Sequence, residues 1–208
     1  GENVRIHTLD VPHPALWYPN GRGEQPLYTV ALTVTCDGLL CDNAQKRVGF
    51  RTLAFTQNDN APAGSLPYTL SVNGERIFLC GANWVPPSMF FGGVTYDTYR
   101  KHLLRFKEMN CNILRVWAGS ILEKEMFYDL CDELGIMVWQ EFPQTSSGID
   151  NLPPSDDPVV LEKLRAIAQR YILEKRHHAS HVIWCGGNEL MTDDYIPVDM
   201  RHRGIHML

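Results

Sequence analysis

Residues 181–190 read HVIWCGGNEL, an apolar run broken by two glycines and closed by an amide and a carboxylate, Asn188 and Glu189. Three other short apolar stretches close in a similar way, on Asn83-Trp84, on Arg115-Val116-Trp117 and on Trp139-Gln140-Glu141. These four ends gather tryptophans, carboxylates, asparagines and an arginine. That mixture suits a sugar, whose C–H face stacks on an aromatic ring while acids and amides hold its hydroxyls. The chemistry most at home there is glycosidic bond cleavage. One protonated carboxyl donates to the leaving oxygen, and a second, ionised, attacks or activates water. A non-catalytic sugar site and other α/β enzymes stay open on these residues alone. Trp117, Trp139 and Trp184 are also readable as core aromatics, and Trp184, in mid-strand, is expected to be one.

Other chemistries lack their residues. No G-x-G-x-x-G turn is present for a dinucleotide, and no G-x-S-x-G for a hydrolase nucleophile elbow. His177 and His178 precede a strand and lack the spacing of a metal set, so a structural or surface role is expected and no cofactor is called for. The six cysteines contain no Cys-x-x-Cys pair; Cys111, Cys131 and Cys185 lie in or beside apolar runs as small hydrophobes, and only Cys36 and Cys41 could form a local bridge. With a net charge of −5 and no Lys/Arg run that could track phosphates, nucleic acid is not an expected partner. No stretch approaches 18 apolar residues, so no membrane partner is expected either. A soluble chain follows, with a cytoplasmic location favoured over a periplasmic, lysosomal or secreted one, and a homo-oligomer is compatible with the sequence.

These ends must be positioned by regular elements. Residues 26–35, PLYTVALTVT, alternate with period two, Tyr28, Val30, Leu32 and Val34 forming the face expected to be buried. KRVGFRTLAF (46–55) predicts a further strand bent at Gly49, and residues 56–67 form the best linker candidate. YTLSVNGERIFLCGANW (68–84) predicts a hairpin turning at Asn73-Gly74. Thereafter the period changes. Helices are predicted over 95–110, with Tyr99, Leu103, Phe106 and Met109 on one stripe, and over 122–135, with Met126, Phe127, Leu130, Cys131 and Leu134 buried and Gly135 as the stop. A third spans 155–176, capped from Ser155, Asp156 and Asp157, with Pro158 in its first turn and Val160, Leu164, Ile167 and Tyr171 inward. Short unalternating strands lie between them, at 112–117, 136–140 and 181–185. Such an order means a parallel sheet covered by helices, whose ligand site sits at the carboxyl ends of its strands. A doubly wound sheet and a (β/α)₈ barrel both fit.

NWVPP (83–87), LRVWAG (114–119), FYDLCDELGIMVWQEF (127–142) and RHHASHVIWCGGNE (176–189) together resemble glycoside hydrolase family 2, in its β-mannosidase and exo-β-glucosaminidase branch. LWYPNGRGEQPLYTVALTV and VGFR resemble the domain before that family's barrel. The resemblance implies a multidomain fold: residues 1–60 the C-terminal part of an immunoglobulin-like β-sandwich, and residues 61–208 the N-terminal half of a TIM-barrel catalytic domain. It implies an exo-acting retaining β-glycosidase for terminal non-reducing β-linked sugars, mannose first. Glucosamine, galactose or uronic acid specificity, or a non-catalytic carbohydrate-binding homologue, are the alternatives. Glu189 takes the place of the general acid/base and Asn188 that of a ligand to the sugar 2-hydroxyl. Arg115 would lie beneath the site and orient the nucleophile through a bidentate fork. Asn83, Trp84, Trp117 and Glu141 would line the sugar subsite.

Three departures touch the mannose preference. The branch commonly shows VWGGG-x-YE where this chain reads VWAGSILE (116–123), and Trp-Gln-Asp where it has Glu141. The stretch 142–156 is also not the loop expected of a mannosidase. The family nucleophile, a glutamate near strand seven, is expected beyond residue 208, so the four-strand piece alone is expected to be inactive.

Overall fold

The computed structural model describes residues 6–145 and 157–190; the cap residues Ser155 and Asp156 lie outside them. Strands β1 (Tyr28–Cys36) and β2 (Leu39–Val48) form an antiparallel hairpin with a bulge after Val34. The period-two pattern is real, but the face expected to be buried is open: Val30, Leu32 and Val34 are exposed. Periodicity reports which residues share a face, and burial depends on what lies against it. After the break at Gly49 the chain resumes as β3 (Leu53–Thr56).

Across the expected linker, β3 pairs with β4 (Thr69–Val72), which turns at Asn73-Gly74 into β5 (Glu75–Arg76). Both turn residues have positive φ, 53° and 83°, the backbone that an Asn-Gly hairpin turn demands. The second arm of this hairpin is shorter than expected. It ends at Arg76, and the chain continues into β6 (Gly81–Trp84) of a different sheet.

That sheet is the scaffold of the site. β6, β7 (Ile113–Val116), β8 (Met137–Glu141) and β9 (His181–Cys185) pair in sequence order, all parallel. Helices α1 (Tyr96–Glu108), α2 (Glu125–Leu134) and α3 (Pro158–Lys175) alternate with them. Their ends follow capping chemistry. Thr95 Oγ1 accepts the Thr98 N–H at 3.3 Å, Asp157 Oδ1 accepts that of Val159 at 2.7 Å, and α2 stops at Gly135 with φ 74°. No helix among the described residues is long and apolar enough to cross a membrane.

Two core layers hold the sheet. On its helix side, Trp84, Leu114, Val116 and Val138 pack against Tyr99 and Leu103 of α1 and Phe127, Leu130 and Cys131 of α2. Met109 is exposed beyond the end of α1. In α3 the buried residues are Leu161, Ala168 and Lys175, one position on from the expected stripe, while Val160 and Ile167 are exposed. The second layer joins Leu70 and Val72 of the small sheet, Ile77 just after it and Trp17 to Ile113, Met137 and Val182, residues near the amino ends of the parallel strands. The β3–β5 sheet therefore plugs that end and leaves the carboxyl ends clear.

The early residues also grip the helices. Arg47 on β2 meets Asp129 and Glu133 of α2 at 3.0 and 2.5 Å, and Lys46 pairs with Glu125. The Trp17 indole donates to the Asp132 carbonyl at 2.8 Å. Asn20 donates from its backbone to Gly135 O and from its amide to Lys107 O and Cys111 O, satisfying carbonyls where α1 and α2 end. Cys36, Cys41 and Cys80 are exposed free thiols, with no bridge between the first two, whereas Cys111 and Cys131 are buried.

Candidate active site

In a parallel strand, neighbouring residues face opposite sides of the sheet, so register decides what each strand end offers. Asn83, Arg115 and Trp139 are paired across β6, β7 and β8 and lie on one concave face, with Leu79, Gly81 and Ile113 lining the same hollow of about 410 Å³. Arg115 is its centre. The guanidinium Nε donates to Glu141 Oε1 at 2.7 Å, Nη1 to Asn83 Oδ1 at 3.0 Å, and Nη2 to Asn188 Oδ1. Nη2 also lies 2.7 Å from Glu141 Oε1. Four strand ends thus converge on one cation, whose Cζ stands 5.8 Å from the Trp139 ring centroid.

Asn188 is placed by a tight contact. Its N–H donates to Gln144 O at 2.9 Å and its side-chain amide to Thr145 Oγ1 at 3.2 Å. Only a glycine fits before it, because a Cβ on Gly187 would lie 2.2 Å from the Gln144 carbonyl oxygen. Glu189 follows with φ 47°, an uncommon backbone for a residue with a side chain, and it is exposed.

The other expected site residues sit elsewhere. Trp84 does not face this hollow. One residue on from Asn83, it is buried in the helix-side core, with its indole N–H donating to Glu123 Oε1 at 2.8 Å. Trp117 is half-buried and lies over its own loop, so close to Gly119 that a side chain there would collide with the ring. Trp184, expected in the core, stacks on Phe142 with ring centroids 5.3 Å apart.

Several polar residues with work to do went unread in the sequence. Glu123 accepts from both Trp84 and the Tyr99 hydroxyl, and burial raises its pKa despite those bonds. Gln140 accepts from the Tyr128 hydroxyl at 2.6 Å and donates to the Glu141 carbonyl. His178 is buried, its Nδ1 2.7 Å from Asp132 Oδ2, in a cluster with Glu125, Lys175 and Lys46. Burial opposes charging of that imidazole, but its bond to Asp132 and the Glu125 carboxylate 3.6 Å away prevail and raise its pKa. The ligand atoms of Glu125, His177 and His178 lie within 4.8 Å of one another, as do those of Asp129, Asp132 and His178. The cations on Glu125 and Asp129 are the chain's own Lys46, Lys175 and Arg47. Asp132, set next to the apolar residues Leu130, Cys131 and Leu134 in LCDEL, is the one sequence signal that could have pointed to this cluster.

Comparison with known proteins bears on the family and the fold. Residues 68–203 match the model of "Glycosyl hydrolases family 2, TIM barrel domain", and residues 1–51 match "Glycosyl hydrolases family 2". "Beta-mannosidase B" of Emericella nidulans is 37% identical over 187 residues, covering 90% of this chain and 21% of that protein. The "Beta-mannosidase" of Capra hircus is 36% identical over 173 residues, 83% of this chain and 19% of the relative. The crystal structure of a β-D-mannosidase from Dictyoglomus thermophilum superposes with a TM-score of 0.76 at 40% identity, covering 86% of this chain and 21% of that one. The chain spans about a fifth of the length of the relatives it matches. The architecture expected from the sequence, a sandwich portion followed by part of a (β/α)₈ barrel, holds. With more than half of its residues matched to the barrel model, the chain belongs to glycoside hydrolase family 2.

Proposed function

We propose that the protein to which this chain contributes is an exo-acting retaining β-glycosidase that removes terminal β-linked mannose. The observation that carries the reading is the convergence of Asn83, Glu141 and Asn188 on Arg115 at the carboxyl ends of four parallel strands. The relatives, β-mannosidases at 36–40% identity, support mannose as the sugar. In this reading Glu189 protonates the leaving oxygen and then, as base, activates water in the second step. Asn188 holds the 2-hydroxyl. Arg115 lies under the ring and orients a nucleophilic carboxylate contributed by a part of the protein outside these 208 residues. Asn83 steadies Arg115, and Trp139 borders the sugar.

The test is a panel of aryl β-glycosides offered to the full-length protein, with the anomer first released read by NMR. The β-mannoside is expected to exceed the β-galactoside, β-glucosaminide and β-glucuronide by at least about tenfold in kcat/KM, with β-mannose as the first product. Release of α-mannose, or no hydrolysis of any member, sinks the reading. A second expectation follows from the contact that seats Asn188. In the full-length protein Gly187→Ala must push Gln144 aside, so kcat/KM should fall about tenfold from misplacement of the residues beside it. Unchanged kinetics would show that the approach of the two loops does not set the site.

A further inference from the structure

We propose that Glu141 is a positioning residue, a two-point clamp that fixes Arg115 and the loop after β7, and that it makes no contact with the sugar. The inference rests on the glycosidase reading above and assigns a different job to a residue expected to line the subsite. Both carboxylate oxygens are already committed. Oε1 receives Arg115 Nε and Nη2 at 2.7 Å, and Oε2 receives the Ala118 N–H at 2.9 Å. Glu141 is 1% exposed even though the concave face of the sheet is open, so further chain over that face can only cover it more. Arg115, by contrast, keeps 24% of its side chain exposed, and Nη1 uses one of its two hydrogens on Asn83. The arginine faces the hollow, and Glu141 stands behind it.

The chemistry of the clamp makes its residue type specific. A carboxylate accepts at both ends, so it can take a guanidinium on one oxygen and a backbone N–H on the other. A glutamine can accept from only one of these partners, because its other terminal atom is itself a donor. An aspartate keeps the charge but is one methylene short of spanning from β8 to both Arg115 and Ala118. Either change releases Arg115 from its fixed angle, or frees the segment that carries Trp117.

The experiment uses the full-length protein and an aryl β-mannoside, with Glu141→Gln, Glu141→Asp, Arg115→Lys and the Glu141→Gln/Arg115→Lys double variant. If Glu141 acts through Arg115, Glu141→Gln lowers kcat about 100-fold with KM within about threefold. The double variant is then no more than about threefold worse than the poorer single one, because the two changes break one unit. A rise in KM at unchanged kcat, or losses that multiply, would mean that Glu141 touches the sugar itself and overturns the proposal. Should Glu141→Gln fail to fold, Glu141→Asp decides: a kcat loss beyond about tenfold supports the clamp, and wild-type kinetics overturn it. A crystal structure of the glutamine or aspartate variant is the readout independent of turnover, since the guanidinium must leave its place between Asn83 and Asn188. An unmoved guanidinium overturns the clamp even if the protein hydrolyses nothing, whereas an inactive wild type sinks only the glycosidase reading.

Discussion

Glu189→Gln in the full-length protein is expected to cut kcat/KM on an alkyl β-mannoside by about 10²–10⁴-fold, the usual contribution of a general acid. On an aryl β-mannoside whose phenol leaves without protonation, the loss should be far smaller. The asymmetry is the point of the measurement, because a residue that merely shaped the cleft would cost both substrates alike. Its physical basis is the placement of the residue. Glu189 follows Asn188, whose backbone is bonded to Gln144 and whose amide oxygen is bonded to Arg115. Its own backbone is held at φ 47°. The residue thus follows directly on one whose side chain is bonded to Arg115, which lines the hollow. Loss of the alkaline limb of the pH–kcat/KM profile in the variant is the second signature, since that limb reports deprotonation of the acid. Equal losses on both substrates would remove Glu189 from proton transfer.

The second large effect concerns stability. Asp132→Ala is expected to destabilise the folded protein by about 3–5 kcal/mol, the cost of removing one partner from a buried charged pair. Asp132 Oδ1 accepts the Ser180 N–H and Oδ2 pairs with His178 Nδ1, each at 2.7 Å, and both side chains are almost wholly buried. Without the carboxylate, a buried imidazole and a buried amide are stranded. The pH dependence follows from two opposite shifts. The pKa of His178 is raised, so its contribution is complete below the ordinary histidine value, about 6.5, and is lost as pH climbs through the raised one. That of Glu125 is lowered, by the His178 imidazole 3.6 Å away and then by its bonds to Lys175 and Lys46, with burial opposing. Its contribution is present above the ordinary glutamate value, about 4.3, and is lost as pH falls through the lowered one. The cluster therefore stabilises most between roughly pH 4.3 and 6.5. Tm measured against pH should show the alkaline decline in the wild type and a flatter one in Asp132→Ala. A variant with wild-type Tm throughout would show that the pair contributes nothing.

Much of this fold could be read before any coordinates, because strand and helix periods separate cleanly after residue 68. The four parallel strands, the three helices, the Asn73-Gly74 turn and the stop at Gly135 all rest on local chemistry that tertiary packing did not override. The facing of single residues could not be read. A strand of four residues is too short to show its alternation, so Asn83 and Trp84 looked equally able to point at a sugar; only pairing with Arg115 and Val116 separates them. Glu123, just before α2, and Asp132, within it, carried no distinguishing local pattern, and each sits inside with a partner from a distant element. The stripe on α3 moved by one residue because the helix meets its neighbours through Leu161, Ala168 and Lys175 rather than through its bulkiest side chains. In the site, the residue types at the strand ends were legible. The division of labour between a group facing the hollow, Arg115, and one standing behind it, Glu141, required the hydrogen bonds.

The grip of Trp17 and Asn20 on α1 and α2 bears on how chains of this family can be recombined. The barrel's helices obtain part of their terminal hydrogen bonding from residues more than eighty positions earlier, and one of its inner layers is completed by an indole from the same stretch. A chimera that joined this barrel to a foreign leading module would inherit unsatisfied carbonyls and a tryptophan-sized hole. The seam at which two such proteins can be swapped therefore lies upstream of Trp17, whatever the flexible-looking stretch near residue 60 suggests.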